Sequence, residues 1–149
     1  MKDVRDVRVA RPETRKTVSN PPGAAAVLKP YYANAVLVSG GPLLFISGQV
    51  AWDEGGNIVG ADDPVAQAEQ TFKNLRTVLR AHGADFSDLV KVTVYVTSFD
   101  WFSELSTLRE ELFSENPPAS AIVQVVRLVQ PELLIEVEAV AVVPEPTAG

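Results

Sequence analysis

The chain has 149 residues, a formal net charge of −6, 46% hydrophobic and 21% charged residues, one histidine and no cysteine. That suffices for one domain with a sizeable core, and it excludes disulfides, thiolate nucleophiles, Cys-ligated zinc and multi-histidine metal sites. The acidic balance speaks against a phosphate-backbone partner, and neither a Walker loop nor a dinucleotide glycine fingerprint is present.

Residues 1–30 read as an extended arm. Pro12, Pro21, Pro22 and Pro30 interrupt any period, leaving room for one short edge strand. The first sixteen residues are basic and lack the apolar core of a secretory signal. No apolar run approaches a membrane span, so a cytoplasmic protein with neither membrane nor nucleic acid as partner is expected. Residues 31–149 then form the folded domain. Val36–Val38 and Leu43–Val50 are short apolar runs, and the Ser-Gly-Gly-Pro between them predicts a hairpin. Ser47-Gly48-Gln49 interrupts the second run. A glycine there marks a bulge or a close approach to the backbone by a ligand.

"DEGGN", residues 53–57, is a second turn. Asp63 and Pro64 open a helix as N-cap and first-turn proline, with Val65, Ala68, Phe72, Leu75 and Leu79 as its apolar stripe. His82-Gly83 closes it, where a cation suits the dipole and glycine suits the position after the cap. Lys91–Thr97 alternates as a strand. Phe102, Leu105, Leu108 and Leu112 mark a second helix ending near "ENPP". Strands over Ala121–Leu128 and Leu133–Val143, joined by "VQPE", complete the order β-β-α-β-α-β-β. With sequence neighbours pairing and both helices on one face, this is an α+β sandwich. In the last strand Ile135, Val137, Ala139 and Ala141 share the face that takes the helices. Leu134, Glu136, Glu138, Val140 and Val142 share the other, whose mixture of valines and carboxylates points to subunit contact.

"PYYANAV", "LLFISGQVAWDEGGNIV", "QAEQTFKNLRTVLRAHGADFSDLVKVTVYVTSF", "ASAIVQVVRL" and "LIEVEAVAV" together resemble the YjgF/RidA family of reactive intermediate deaminases, over about three quarters of the chain. The resemblance implies a chorismate-mutase-like fold and a homotrimer with a central barrel. It also implies ligand clefts between subunits, and hydrolysis of small enamines or imines without a cofactor. By the same resemblance, Ser47 and Gly48 line the cleft. Tyr32 is its tyrosine, or Tyr31 if the alignment slips by one. Glu136 positions the attacking water, and Ala121 adjoins the substrate.

Two family features are missing. Ser120 stands where archetypal members carry the arginine that clamps the substrate carboxylate, and Ser106 stands at about the place of an asparagine on the second helix. Arg127 lies seven positions along the strand from Ser120, on the opposite face, and is no substitute. A neutral serine offers a weaker bond than a guanidinium fork, so small 2-imino acids are expected to be poor substrates. The readings that follow are a divergent enamine/imine hydrolase or tautomerase, or a non-catalytic trimer that binds a small metabolite or a protein. RNA cleavage, a third reading, has the acidic balance and the lack of a histidine pair against it.

Overall fold

The computed structural model describes residues 15–145, so most of the basic N-terminal stretch lies outside the described residues. Strand β1 (Lys16–Ser19), from the arm, pairs antiparallel with β2 (Ala35–Val38). The main sheet contains β3 (Leu43–Gln49), β4 (Leu89–Val96), β5 (Ala119–Gln124) and β6 (Ile135–Val142), in the order β3-β6-β4-β5. Helices α1 (Pro64–Ala81) and α2 (Phe102–Phe113) lie on one face. This is the expected chorismate-mutase-like α+β architecture, and α1 begins and ends where its signals put it. The Asp63 side chain accepts from the Ala66 N–H, and Gly83 follows His82 at φ +77.

Three local expectations are corrected. The Ser39–Pro42 turn does not make a hairpin: β2 is taken by β1, and β3 pairs with β6 in the other sheet. Pairing in the main sheet also departs from chain order, because β6 inserts between β3 and β4. Only β4 and β5 are sequence neighbours in space, and they run parallel because α2 supplies the crossover. The last two strands are shorter than expected. Residues 125–134 leave the sheet as a loop, whose Leu128 and Leu133 bury against Val50 and Ala51 as a second small core.

The main core lies between helices and sheet. Ile135, Val137, Ala139 and Ala141 face the apolar stripes of both helices, joined by Val92, Val94 and Val96 of β4. Phe113 at the end of α2 meets Phe72 of α1 edge-on, with ring centroids 5.4 Å apart. The polar residues of α1 fix the strands that carry the site. Fully buried Gln67 donates to the carbonyls of Gly60 and Glu132 and accepts from the Leu134 N–H, tying down the approach to β6. Asn74 donates to the carbonyls of Val50 and Trp52, holding the chain just beyond β3. Among the described residues no helix is long and apolar enough to cross a membrane.

Candidate active site

The Ser47-Gly48 interruption is both a bulge and a close approach. From Ile46 to Gln49 the chain advances three residues, while the partner strand moves only two, from Ala139 to Val137. The extra residue bends β3 and brings Gly48 against Glu136. A Cβ on Gly48 would sit 2.8 Å from the Glu136 Cδ and closer still to Oε1. The backbone there is outside the left-handed region, so glycine is required by space and not by dihedral angle. Gly48→Ala is therefore expected to fold and to displace the Glu136 carboxylate. A carboxyl-carbon NMR titration of Glu136 would show its pKa returning toward the ordinary glutamate range, and an unchanged titration would contradict the contact.

Partial burial on the open sheet face raises the Glu136 pKa, and the nearby Glu138 charge raises it further. Both effects disfavour the ionised form. Among the described residues no protein donor reaches the Glu136 carboxylate, which leaves its oxygens for water or ligand. Glu138 is differently engaged: it accepts the Tyr95 hydroxyl at 2.7 Å. That bond, with burial and the two carboxylates, raises the Tyr95 pKa and keeps the phenol protonated.

A second polar group lies on the helix side, at the start of β5. The Ala33 N–H donates to the Pro118 carbonyl at 2.9 Å, which sets the Tyr31–Ala33 segment beside that strand end. The Tyr31 hydroxyl is 3.0 Å from the Ser106 hydroxyl on α2. One turn further along α2, the Arg109 guanidinium stacks over the Tyr31 ring, 4.5 Å from its centroid. Its Nη2 donates to the Ser120 Oγ at 2.6 Å. Position 120 is a serine, but the α2 crossover brings a guanidinium directly onto it.

The expected site residues fall into two groups. Gly48 and Glu136 meet on the open face, while Ser106 and Ser120 meet on the helix side. Glu136 is registered with Tyr95, and Ser120 with Val92. Those two β4 residues are three apart and point to opposite faces, so one copy of the chain does not unite the groups. Ser47 is exposed, and its carbonyl accepts the Gln49 side-chain amide at 3.0 Å. Ala121 is exposed on the face opposite Ser120. Tyr32 is half-buried, with its hydroxyl accepting the Leu28 N–H. Tyr31, not Tyr32, joins the cluster at Ser106 and Arg109. Arg127 lies in the loop after β5, bonded to the Leu128 carbonyl.

A family model described as endoribonuclease L-PSP matches residues 23–143. The chain belongs to this family, the YjgF/RidA proteins. Among its relatives, protein DfrA of Myxococcus xanthus is 38% identical over 111 residues, covering 74% of this chain and 84% of that protein. RutC family protein PH0854 of Pyrococcus horikoshii is 34% identical over 113 residues, covering 76% and 89%. The crystal structure of the Rid-family protein YyfB of Yersinia pestis superposes with a TM-score of 0.81 at 34% identity, over 87% of this chain and 99% of that one. Rv2704 of Mycobacterium tuberculosis, a YjgF/YER057c/UK114 family member, gives 0.60 at 26% identity, covering 86% and 99%.

Arg109 and Tyr95 are the polar residues of this Rid-family chain that sequence reasoning missed. Arg109 had a signal. It lies three residues after Ser106 and three before Leu112, on the stripe that faces the sheet, while Glu110 and Glu111 point away. Tyr95 lay in plain alternation and gave none.

Proposed function

We propose that the chain is a cofactor-independent enamine/imine hydrolase, with Glu136 positioning and deprotonating the attacking water. The observation that carries this reading is the Glu136 carboxylate, seated on bare Gly48, met by no protein donor among the described residues and with a raised pKa. A carboxylate tuned upward is a better proton acceptor near neutrality than an ordinary one. Water adds through oxygen to the iminium carbon, the C=N π pair moves to nitrogen, and the water proton passes to Glu136. Glu136 then returns that proton to the amine nitrogen. The C–N bond breaks with its electron pair going to nitrogen as the hydroxyl oxygen forms the carbonyl and gives its proton to Glu136; ketone and ammonia leave, and the ammonia takes that proton from Glu136 as ammonium. An enamine enters the same route after protonation at carbon. The acidic net charge argues against RNA as the substrate. The test is whether the protein accelerates disappearance of an imine generated in situ, with its ketone appearing in equal amount.

The reading also requires a homotrimer whose clefts lie between subunits. Two observations support it. Glu136 and Ser120 face opposite sides of one sheet, so a shared cleft needs a second copy. The open face is also apolar beyond what water alone explains, with Leu43, Phe45 and Val123 exposed beside Val140. Light scattering is expected to give three times the 16.1 kDa chain mass at micromolar concentration. A stable monomer would remove the shared cleft.

A further inference from the structure

Glu136 and Glu138 stand two residues apart on the open face of β6, and the strands on either side take them differently. Glu136 leans toward β3, with its carboxyl against Gly48. Glu138 leans toward β4, where its Oε1 accepts the Tyr95 hydroxyl at 2.7 Å. The register makes that bond a choice of partner. Tyr95 lies directly opposite Glu136, and Thr93 directly opposite Glu138. The phenol therefore passes the carboxylate it faces and reaches the diagonal one, a span open to a long side chain. Its ring is steadied by packing on the small core of Val50, Ala51, Leu128 and Leu133. Of the other titratable groups on the elements around Glu136, β3 and β5 supply none, β4 adds Lys91, and the loop after β5 carries Arg127 and Glu132. Among the described residues no lysine or arginine is ion-paired with Glu136 or Glu138.

We propose that Glu138 is a positioning residue for Glu136: by accepting the Tyr95 hydroxyl, it keeps that phenol off the water-activating carboxylate. A phenol has one proton to donate. Donated to Glu136, it would favour the ionised form and make the carboxylate a weaker proton acceptor. It would also fill an oxygen lone pair that the attacking water needs. Donated to Glu138, it does neither. Glu138 and Tyr95 thus act on the reaction only through Glu136. The inference rests on the role of Glu136 in the proposed hydrolase and adds the pair that keeps it unencumbered. It also separates two substitutions at one position. A glutamine oxygen at 138 can still accept the phenol, whereas alanine leaves the phenol free to turn to its facing residue, Glu136.

The test separates the hydrogen bond from the charge and does not depend on turnover. Carboxyl-carbon NMR follows the Glu136 titration in full-length wild type, Glu138→Gln, Glu138→Ala, and Glu138→Ala combined with Tyr95→Phe. Both single variants lose the Glu138 charge, so both should titrate at lower pH than wild type. Glu138→Ala should lie lower still, because its phenol turns to Glu136. Adding Tyr95→Phe should bring the titration back to that of Glu138→Gln, a rescue that a merely structural role would not give. Glu138 is exposed and phenylalanine keeps the ring on its small core, so each variant should fold. Imine turnover should follow the same order, with Glu138→Ala about tenfold below Glu138→Gln, the worth of one hydrogen bond to a charged group. Coincident Glu136 titrations in Glu138→Gln and Glu138→Ala, or no recovery on adding Tyr95→Phe, overturn the inference. Recovery of the titration in a protein that turns over no imine would overturn the hydrolase and leave this arrangement standing. Imine turnover with no such recovery would do the reverse.

Discussion

If the chain is the proposed hydrolase, Glu136→Gln is expected to lower its imine turnover by about 10²- to 10⁴-fold, the usual worth of general-base help, while the fold persists. Glutamine keeps the shape and can still hold a water, but it cannot take the proton. Stability should not suffer. A carboxyl whose folded pKa is raised stabilises the protein in its neutral form, below its ordinary range, and that contribution is lost as pH rises through the folded value. The neutral amide avoids the loss. The same shift fixes the sign of the pH profile. The base is active only when ionised, so wild-type rate should climb with pH over a range displaced above that of an ordinary glutamate, and Glu136→Gln should flatten that limb. Glu138→Gln should cost far less, because Glu138 is engaged with Tyr95. Steady-state rates across pH for the three proteins check the prediction. A full-rate Glu136→Gln would remove Glu136 from the chemistry.

Phe72→Ala is expected to destabilise the protein by about 3–5 kcal/mol, the range for emptying a large aromatic site in a packed core. Phe72 is fully buried, and its ring meets that of Phe113, which in turn meets Phe86. This aromatic contact locks α1 to the end of α2, one turn beyond Arg109. The cavity should therefore weaken the positioning of the guanidinium as well as the fold. Chemical denaturation measures the first effect, and a loss under 1 kcal/mol would mean that the core collapses around the gap.

Helix α1 was legible because its signals are local: an Asp-Pro start, a stripe at helical spacing, a His-Gly end. The two faces of β6 were legible for the same reason, since alternation alone separates Val137 from Glu136. The sheet order was not. Which strand lies beside β3 is decided by burial of faces far apart in the chain, and Ser39–Pro42 looks the same whether it closes a hairpin or carries the chain between sheets. The site divides along the same line. Gly48 declared itself as an anomaly within a strand, but its cause, the Glu136 carboxylate, lies on another strand. The expected clamp was sought at position 120 along the chain, whereas a guanidinium reaches that place from position 109 through the β4-α2-β5 crossover.

The most direct measurement generates an imine without a carboxylate, using an amine oxidase, in the presence of a nucleophile that traps free imine, and follows trapped imine and carbonyl product together. The account predicts that wild-type protein, at catalytic amounts, diverts imine from the trap into carbonyl product well above the rate in buffer, and that Glu136→Gln diverts at least a hundredfold less. Wild-type protein indistinguishable from buffer, or Glu136→Gln equal to wild type, would contradict it.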